Sequence, residues 1–221
     1  MTAATPGGIG GVERFQKLWQ GCLLPGADDH SQEIHQQLVN AYAEPQRHYH
    51  TIRHIEHCLS MFDECKSLIN NPAAVELAIW FHDMVYVPGA KDNEARSAEL
   101  YQRLAATAHS AELCQAVDNM IMATLHIDAL IEDADTQYMV DIDLSSFGLP
   151  WEDFLRDSKN LRLENQAVKE AEHYRKAKEF QAALLARDRF FFSDFFHDRL
   201  EARARKNLKD YFEYLNEQFR I

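Results

Sequence analysis

The sequence predicts an all-α protein. Apolar residues recur at helical spacing along most of the chain. The breakers Pro25-Gly26, Asn70-Asn71-Pro72, Val87-Pro88-Gly89 and Gly148-Leu149-Pro150 fall between those stretches. The β-branched runs that a parallel sheet would need between helices are missing. With 221 residues, 46% hydrophobic and 26% charged, the chain is long enough to bury a sizeable core and has the composition of an ordinary globular protein.

Residues 1–11 are small and Gly-rich and read as a flexible tail. They lack the basic and apolar regions of a signal peptide. From Val12, the residues Phe15, Leu18, Trp19 and Cys22 share one helical face. Pro25-Gly26 breaks that helix, and Asp28, Asp29 or Ser31 caps the next, whose stripe is Ile34, Leu38, Val39 and Tyr42. Pro45 ends it, because the residue before a proline is pushed out of the helical region. A third helix starts near Thr51, with Ile55, Cys58, Leu59, Phe62 and Ile69 inward.

Pro72 suits a helix start, and the fourth helix, about 73–83, is apolar nearly all round and so central. A polar-faced fifth helix covers about 92–107. A sixth, about 110–126, buries Leu113, Val117, Met120 and Ile121. Residues 133–144 form a short helix and turn. Two long helices follow, over about 151–187 and 194–219, the second with Leu200, Ala204, Leu208, Tyr211, Leu215 and Phe219 on one face. The aromatic run Phe190-Phe191-Phe192-Ser193-Asp194-Phe195-Phe196 reads as core packing first and as a homodimer surface second.

The formal net charge is −12. Such a surface argues against general nucleic-acid binding. It would also repel a small phosphate unless a metal or local basic groups reverse the field at the site. No run of 18 apolar residues exists, so no membrane span is expected. Cys22, Cys58, Cys65 and Cys114 are widely spaced without a CxxC pair, which suits reduced thiols in a cytoplasmic protein.

The fourth helix ends in Trp80-Phe81-His82-Asp83. A His-Asp pair at the end of an apolar run is costly unless something pairs with it, and a divalent metal is one such partner. Four of eleven histidines fall between His48 and His57. If the third helix reaches back to His50, then His50 and His54 share a face, as metal ligands one turn apart would. Taken alone, the two are as compatible with a structural role, and His48 and His57 read as solvated. Asp141-Ile142-Asp143 breaks into a second apolar stretch, as a turn, a cap or a further pair of ligands. One His, a His-Asp dyad and an Asp from three segments would make a mixed nitrogen–oxygen site with open positions.

In order, Arg47-His48-Tyr49-His50-Thr51-Ile52-Arg53-His54-Ile55, Trp80-Phe81-His82-Asp83-Met84-Val85-Tyr86, Asn93-Glu94-Ala95-Arg96-Ser97-Ala98, Ala123-Thr124-Leu125-His126 and Asp141-Ile142-Asp143-Leu144-Ser145-Ser146-Phe147-Gly148 resemble the HD-domain superfamily. The resemblance is to a bacterial group of predicted metal-dependent phosphohydrolases, distantly similar to cyclic-nucleotide phosphodiesterases. It implies a compact multi-helix bundle over residues 12–221, with the metal-site core at about 40–150 and C-terminal helices over 151–221. His54, His82, Asp83 and Asp143 would be metal ligands, with Asp143 preferred over Asp141, which would support the ligands from behind. His50 would be the general acid. Thr51 stands where the phosphodiesterases have Asn, and either is a good helix N-cap.

Glu94 would orient the attacking water or serve as a first-turn acid. His126 would join a second metal or the phosphate, or cap a helix end. Arg47, Arg53 and Lys91 would supply positive charge to the substrate or sit on the surface. The activity implied is hydrolysis of a small phosphorylated substrate, nucleotide-like, by water activated on one or two divalent ions (Mn, Fe, Co, Ni, Zn or Mg). Two alternatives stand beside it: a metal-binding module without turnover, and a di-iron HD-type oxygenase.

Overall fold

The structure, a computed structural model, describes residues 11–127 and 130–219, with Phe219 described by its backbone alone. The tail expected over 1–11, apart from Gly11, and the inward side chain of Phe219 lie outside the described residues. The chain is all-helical: among the described residues there are ten α-helices, two 3₁₀ turns and no strand. The helices are α1 (Val12–Gly21), α2 (Ser31–Tyr42), α3 (Ile52–Cys65), α4 (Pro72–Phe81), α5 (Asn93–Ala105), α6 (Ala111–Ala123), α7 (Ala134–Leu144), α8 (Trp151–Glu164), α9 (Glu170–Leu185) and α10 (Asp194–Phe219).

The fourth helix is central, as its composition predicts. Val75, Leu77, Ala78, Ile79, Trp80 and Phe81 are fully buried, and α4 packs against α1, α3, α5, α6 and α7. Pro72 occupies the first turn, where its missing N–H costs nothing, and Asn71 accepts the Ala74 N–H at 3.2 Å. Phe15 and Trp19 of α1 pack on this post, and Arg14 ties α1 to Glu76 and Asp63 at 2.6 and 2.7 Å. Asp29, just before the N-cap residue His30, accepts the N–H of Ser31 at the start of α2. Asp133 caps α7 through the Thr136 N–H. Buried apolar residues from Phe15 to Leu215 form one continuous core.

Three expectations change. The helix expected over 151–187 is two helices. Asn165 ends α8 by donating from Nδ2 to the Leu161 carbonyl, while its own carbonyl accepts from Arg162. Helix α3 does not reach His50: Thr51 is extended, so His50 and His54 do not share a helical face, and Thr51 caps nothing with its side chain. Helix α6 stops at Ala123, which leaves His126 beyond the helix in a left-handed conformation, φ +56°.

The aromatic run that leads into α10 is core, with Phe190, Phe191 and Phe196 buried. Helix α10 crosses the 3₁₀ turn Ser145–Gly148 so closely that a Cβ on Gly148 would lie 2.7 Å from the Leu200 Cβ. All four cysteines are free thiols. Among the described residues no helix is long and apolar enough to cross a membrane.

Candidate metal centre

The last carbonyls of an α-helix have no partner within it. At the end of α4 they are met from the segment around α2. Tyr42 donates to the Trp80 carbonyl at 2.8 Å. Arg47 donates to the carbonyls of Asp83 at 2.6 Å, Met84 at 2.9 Å and His50 at 3.2 Å. Its Nε meets Glu44 at 3.0 Å. The Arg47 side chain is thus buried and spent on backbone, so the substrate-binding role expected for it gives way to a scaffolding one. From the other side, Ser97 accepts the Val85 N–H, and Asn93 pairs with both backbone groups of Val87. His82 and Asp83 are therefore held on rigid backbone just past α4.

His54 from α3, His82 and Asp143 from α7 converge, with one ligand atom of each within 4.8 Å of the others. His54 Nε2 is 3.2 Å from His82 Nε2 and 3.1 Å from Asp143 Oδ1. Asp83 sits beside this trio, its Oδ2 3.0 Å from His82 Nε2 and 3.6 Å from His54 Nε2. His126, which the sequence left open between site and helix cap, puts Nε2 2.8 Å from Asp143 Oδ2. Its Nδ1 is buried without a hydrogen-bond partner among the described residues. Arg187 holds its left-handed backbone through the carbonyl at 2.6 Å.

The donor set fits a cation. His82 Nδ1 lies 2.9 Å from the Ile79 carbonyl and must donate to it, so a neutral His82 turns a bare Nε2 lone pair toward the cluster. That lone pair meets a second imidazole nitrogen and two carboxylates. Protons or a divalent cation are what satisfy such a group. Burial opposes charge on His82, yet Asp83 and Asp143 hold its pKa well above the ordinary value. Burial likewise opposes charge on Asp143, but His126, His54 and His82 hold its carboxyl well below the usual range. A metal binding here would displace protons.

A buried carboxylate that the sequence reading missed organises His50. Glu164, the last residue of α8, accepts the N–H groups of His48, Tyr49 and His50 at 2.8, 2.8 and 2.9 Å on one oxygen. The other oxygen meets His50 Nδ1 at 2.6 Å. Burial opposes its charge, but His50 and these N–H groups hold its carboxyl down at about 2. Burial works against charge on His50 too, but Asp83 and Glu164 raise its pKa. Tyr86 stacks on the ring at 4.1 Å. No spacing signal links Glu164 to the motif, since 114 residues separate it from His50.

A cavity of about 260 Å³ lies over the cluster, lined by Tyr49, His50, Asp83, Glu94, His126 and Asp143. It brings His50, Glu94 and His126 together with the ligand candidates. Arg53 lines a different cavity of about 290 Å³ with His57 and Arg156, and Lys91 a third of about 400 Å³ beside α8 and α9.

Asp141, expected behind the ligands, instead accepts the N–H groups of Phe192 and Ser193 and the Ser193 hydroxyl at 2.8, 2.7 and 2.6 Å. It is fully buried, and burial pushes its carboxyl up to about 7 against those bonds. Its visible work is to pin the turn before α10 to α7. His57, expected to be solvated, donates to Ser145, whose hydroxyl donates in turn to Ile142. Burial lowers its pKa to about 4, so it is neutral. Comparison with protein-family models, curated proteins and solved structures gives no match to this chain.

Proposed function

We propose that this chain is a metal-dependent phosphohydrolase of the HD-domain type, acting on a small, nucleotide-like phosphate ester. The observation that supports this best is the convergence of two imidazole nitrogens and two carboxylates, from His54, His82, Asp83 and Asp143, on one point. These four residues would hold the ion, and His126 would extend the set toward a second. When bound, a divalent ion lowers the pKa of water and neutralises phosphate oxygens, which a chain of net charge −12 needs in order to accept an anion.

The protein's own groups do the rest. His50, held through Nδ1 by Glu164, keeps Nε2 for the cavity and protonates the departing oxygen. Glu94 stands at the same cavity, placed to accept a proton from water. Tyr86 and Glu164 keep the imidazole from turning away.

The test is a panel of phosphate esters with Mn, Co, Ni, Zn and Mg. Turnover is expected in wild type and lost in Asp143→Ala. His50→Ala should retain metal and lose rate, most for poor leaving groups. Loss of metal in that variant would make His50 a ligand, and an inert metal-loaded wild type would leave a binding module. A second reading, two irons activating oxygen, is favoured by His126 at Asp143. Two irons per chain with an oxygen-dependent spectral change would select it.

A further inference from the structure

The cavity over the metal cluster has two neighbours. It shares Tyr49, Phe147 and Leu161 with a neck of about 40 Å³, and that neck shares Ser158, Leu161 and Gln181 with the 400 Å³ cavity between α8 and α9. Through these shared residues the three spaces line up from Asp143 past Leu161 to Gln181. Their inner wall is apolar, from Phe147, Phe154 and Leu161. Gln181 is 93% buried, being 7% exposed, and its Oε1 has no hydrogen-bond partner among the described residues. A buried amide oxygen left bare is uncommon in a folded protein and points to a missing donor.

We infer that this slot is the recognition site for the organic part of the substrate, and that Gln181 Oε1 accepts a hydrogen bond from an N–H or O–H on that part. The ligand class is an elongated phosphate ester with a flat apolar body and a donor at its far end. The phosphate sits at the cluster, the body lies over Phe147 and Leu161, and the donor reaches Gln181. This rests on the phosphohydrolase reading for the position of the phosphate. It also gives Lys91 a place at the outer cavity, where it meets only a substrate long enough to traverse the slot.

The probes are 4′-aminobiphenyl-4-yl phosphate, its isosteric 4′-methyl counterpart and phenyl phosphate, with the metal-loaded full chain. Wild type should prefer the amino ester over the methyl ester by roughly 5- to 100-fold in kcat/KM, the range set by one buried hydrogen bond. Gln181→Leu should bring that ratio to about 1 or below it. Equal use of the two esters by wild type, or a preference that survives in Gln181→Leu, overturns the inference. Phenyl phosphate is too short to reach Gln181 and reports the phosphohydrolase reading alone. If it is not turned over, calorimetric Kd values for the biphenyl pair supply the same ratio, so the two readings fail separately.

Discussion

Replacing Glu164 with Gln keeps the shape of the side chain and an oxygen to accept the N–H groups of His48, Tyr49 and His50. It removes the charge from a group whose side chain has no exposed surface, and it sets an amide N–H₂ against His50 Nδ1. The carboxyl sits at about 2 in the fold against an ordinary 4.5, the N–H groups and His50 outweighing burial. At about 1.4 kcal/mol per pH unit that gap corresponds to about 3 kcal/mol of stability. Because the folded pKa is depressed, the contribution is complete above pH 4.5 and is lost as pH falls toward 2.

Urea unfolding of wild type and Glu164→Gln should therefore differ by about 2–4 kcal/mol at pH 7 and by roughly 1.4 kcal/mol at pH 3. The variant should keep its metal, since Glu164 touches none of the four ligand candidates in the bonds it makes. Its rate should fall by about 10²- to 10⁴-fold, the range of a lost general acid. A gap under about 0.5 kcal/mol at pH 7, or one that does not change with pH, would refute the reasoning.

Three further predictions rest on other contacts. Asp141→Ala should retain metal but lose about 2–4 kcal/mol in urea unfolding, because Phe192 and Ser193 lose their buried acceptor; metal loss comparable to Asp143→Ala would mean that Asp141 serves the cluster after all. Gly148→Ala should cost about 1–3 kcal/mol through the clash with Leu200, and a neutral thermal melt would show that α10 can shift freely. His109 lies against Trp19, ring centres 4.2 Å apart and tilted by 48°, and burial lowers its pKa to about 4. Its folded pKa lies below the unfolded value, so stability should fall by up to about 3 kcal/mol as pH drops from 6.5 to 4, and His109→Phe should flatten that part of the profile.

The helical fold was legible because periodicity and breakers agree over most of the chain. Helix α4 could be placed from composition alone, since an apolar helix with no polar face can only be central. The break at Asn165 was not legible: the apolar pattern continues through it, and what ends α8 is a local side-chain bond. Residue types marked where a site could lie, because imidazole and carboxylate beside apolar runs signal an energetic conflict. They left His50 and His54, and Asp141 and Asp143, open, and the choice of His54 and Asp143 came from the resemblance of the ordered motifs. The supports of the site were not marked. Glu164 looks like any polar residue inside a long helix, and Arg47 like a surface cation, until the fold brings backbone groups around them. Asp141 and Asp143 show the same limit. Two residues apart on one helix, they point to different neighbours, and only the packing of the Phe192–Ser193 turn tells them apart.

The proposed activity depends on His54, His82, Asp83 and Asp143 holding a divalent ion. Elemental analysis of the purified chain, with calorimetric titration of Mn²⁺ and Zn²⁺ into chelator-treated protein, tests it most directly. One to two ions per chain are expected, with protons released on binding and the ion lost in His54→Ala, His82→Ala and Asp143→Ala. A wild-type chain that takes up no ion, or variants that carry a normal load, would contradict it.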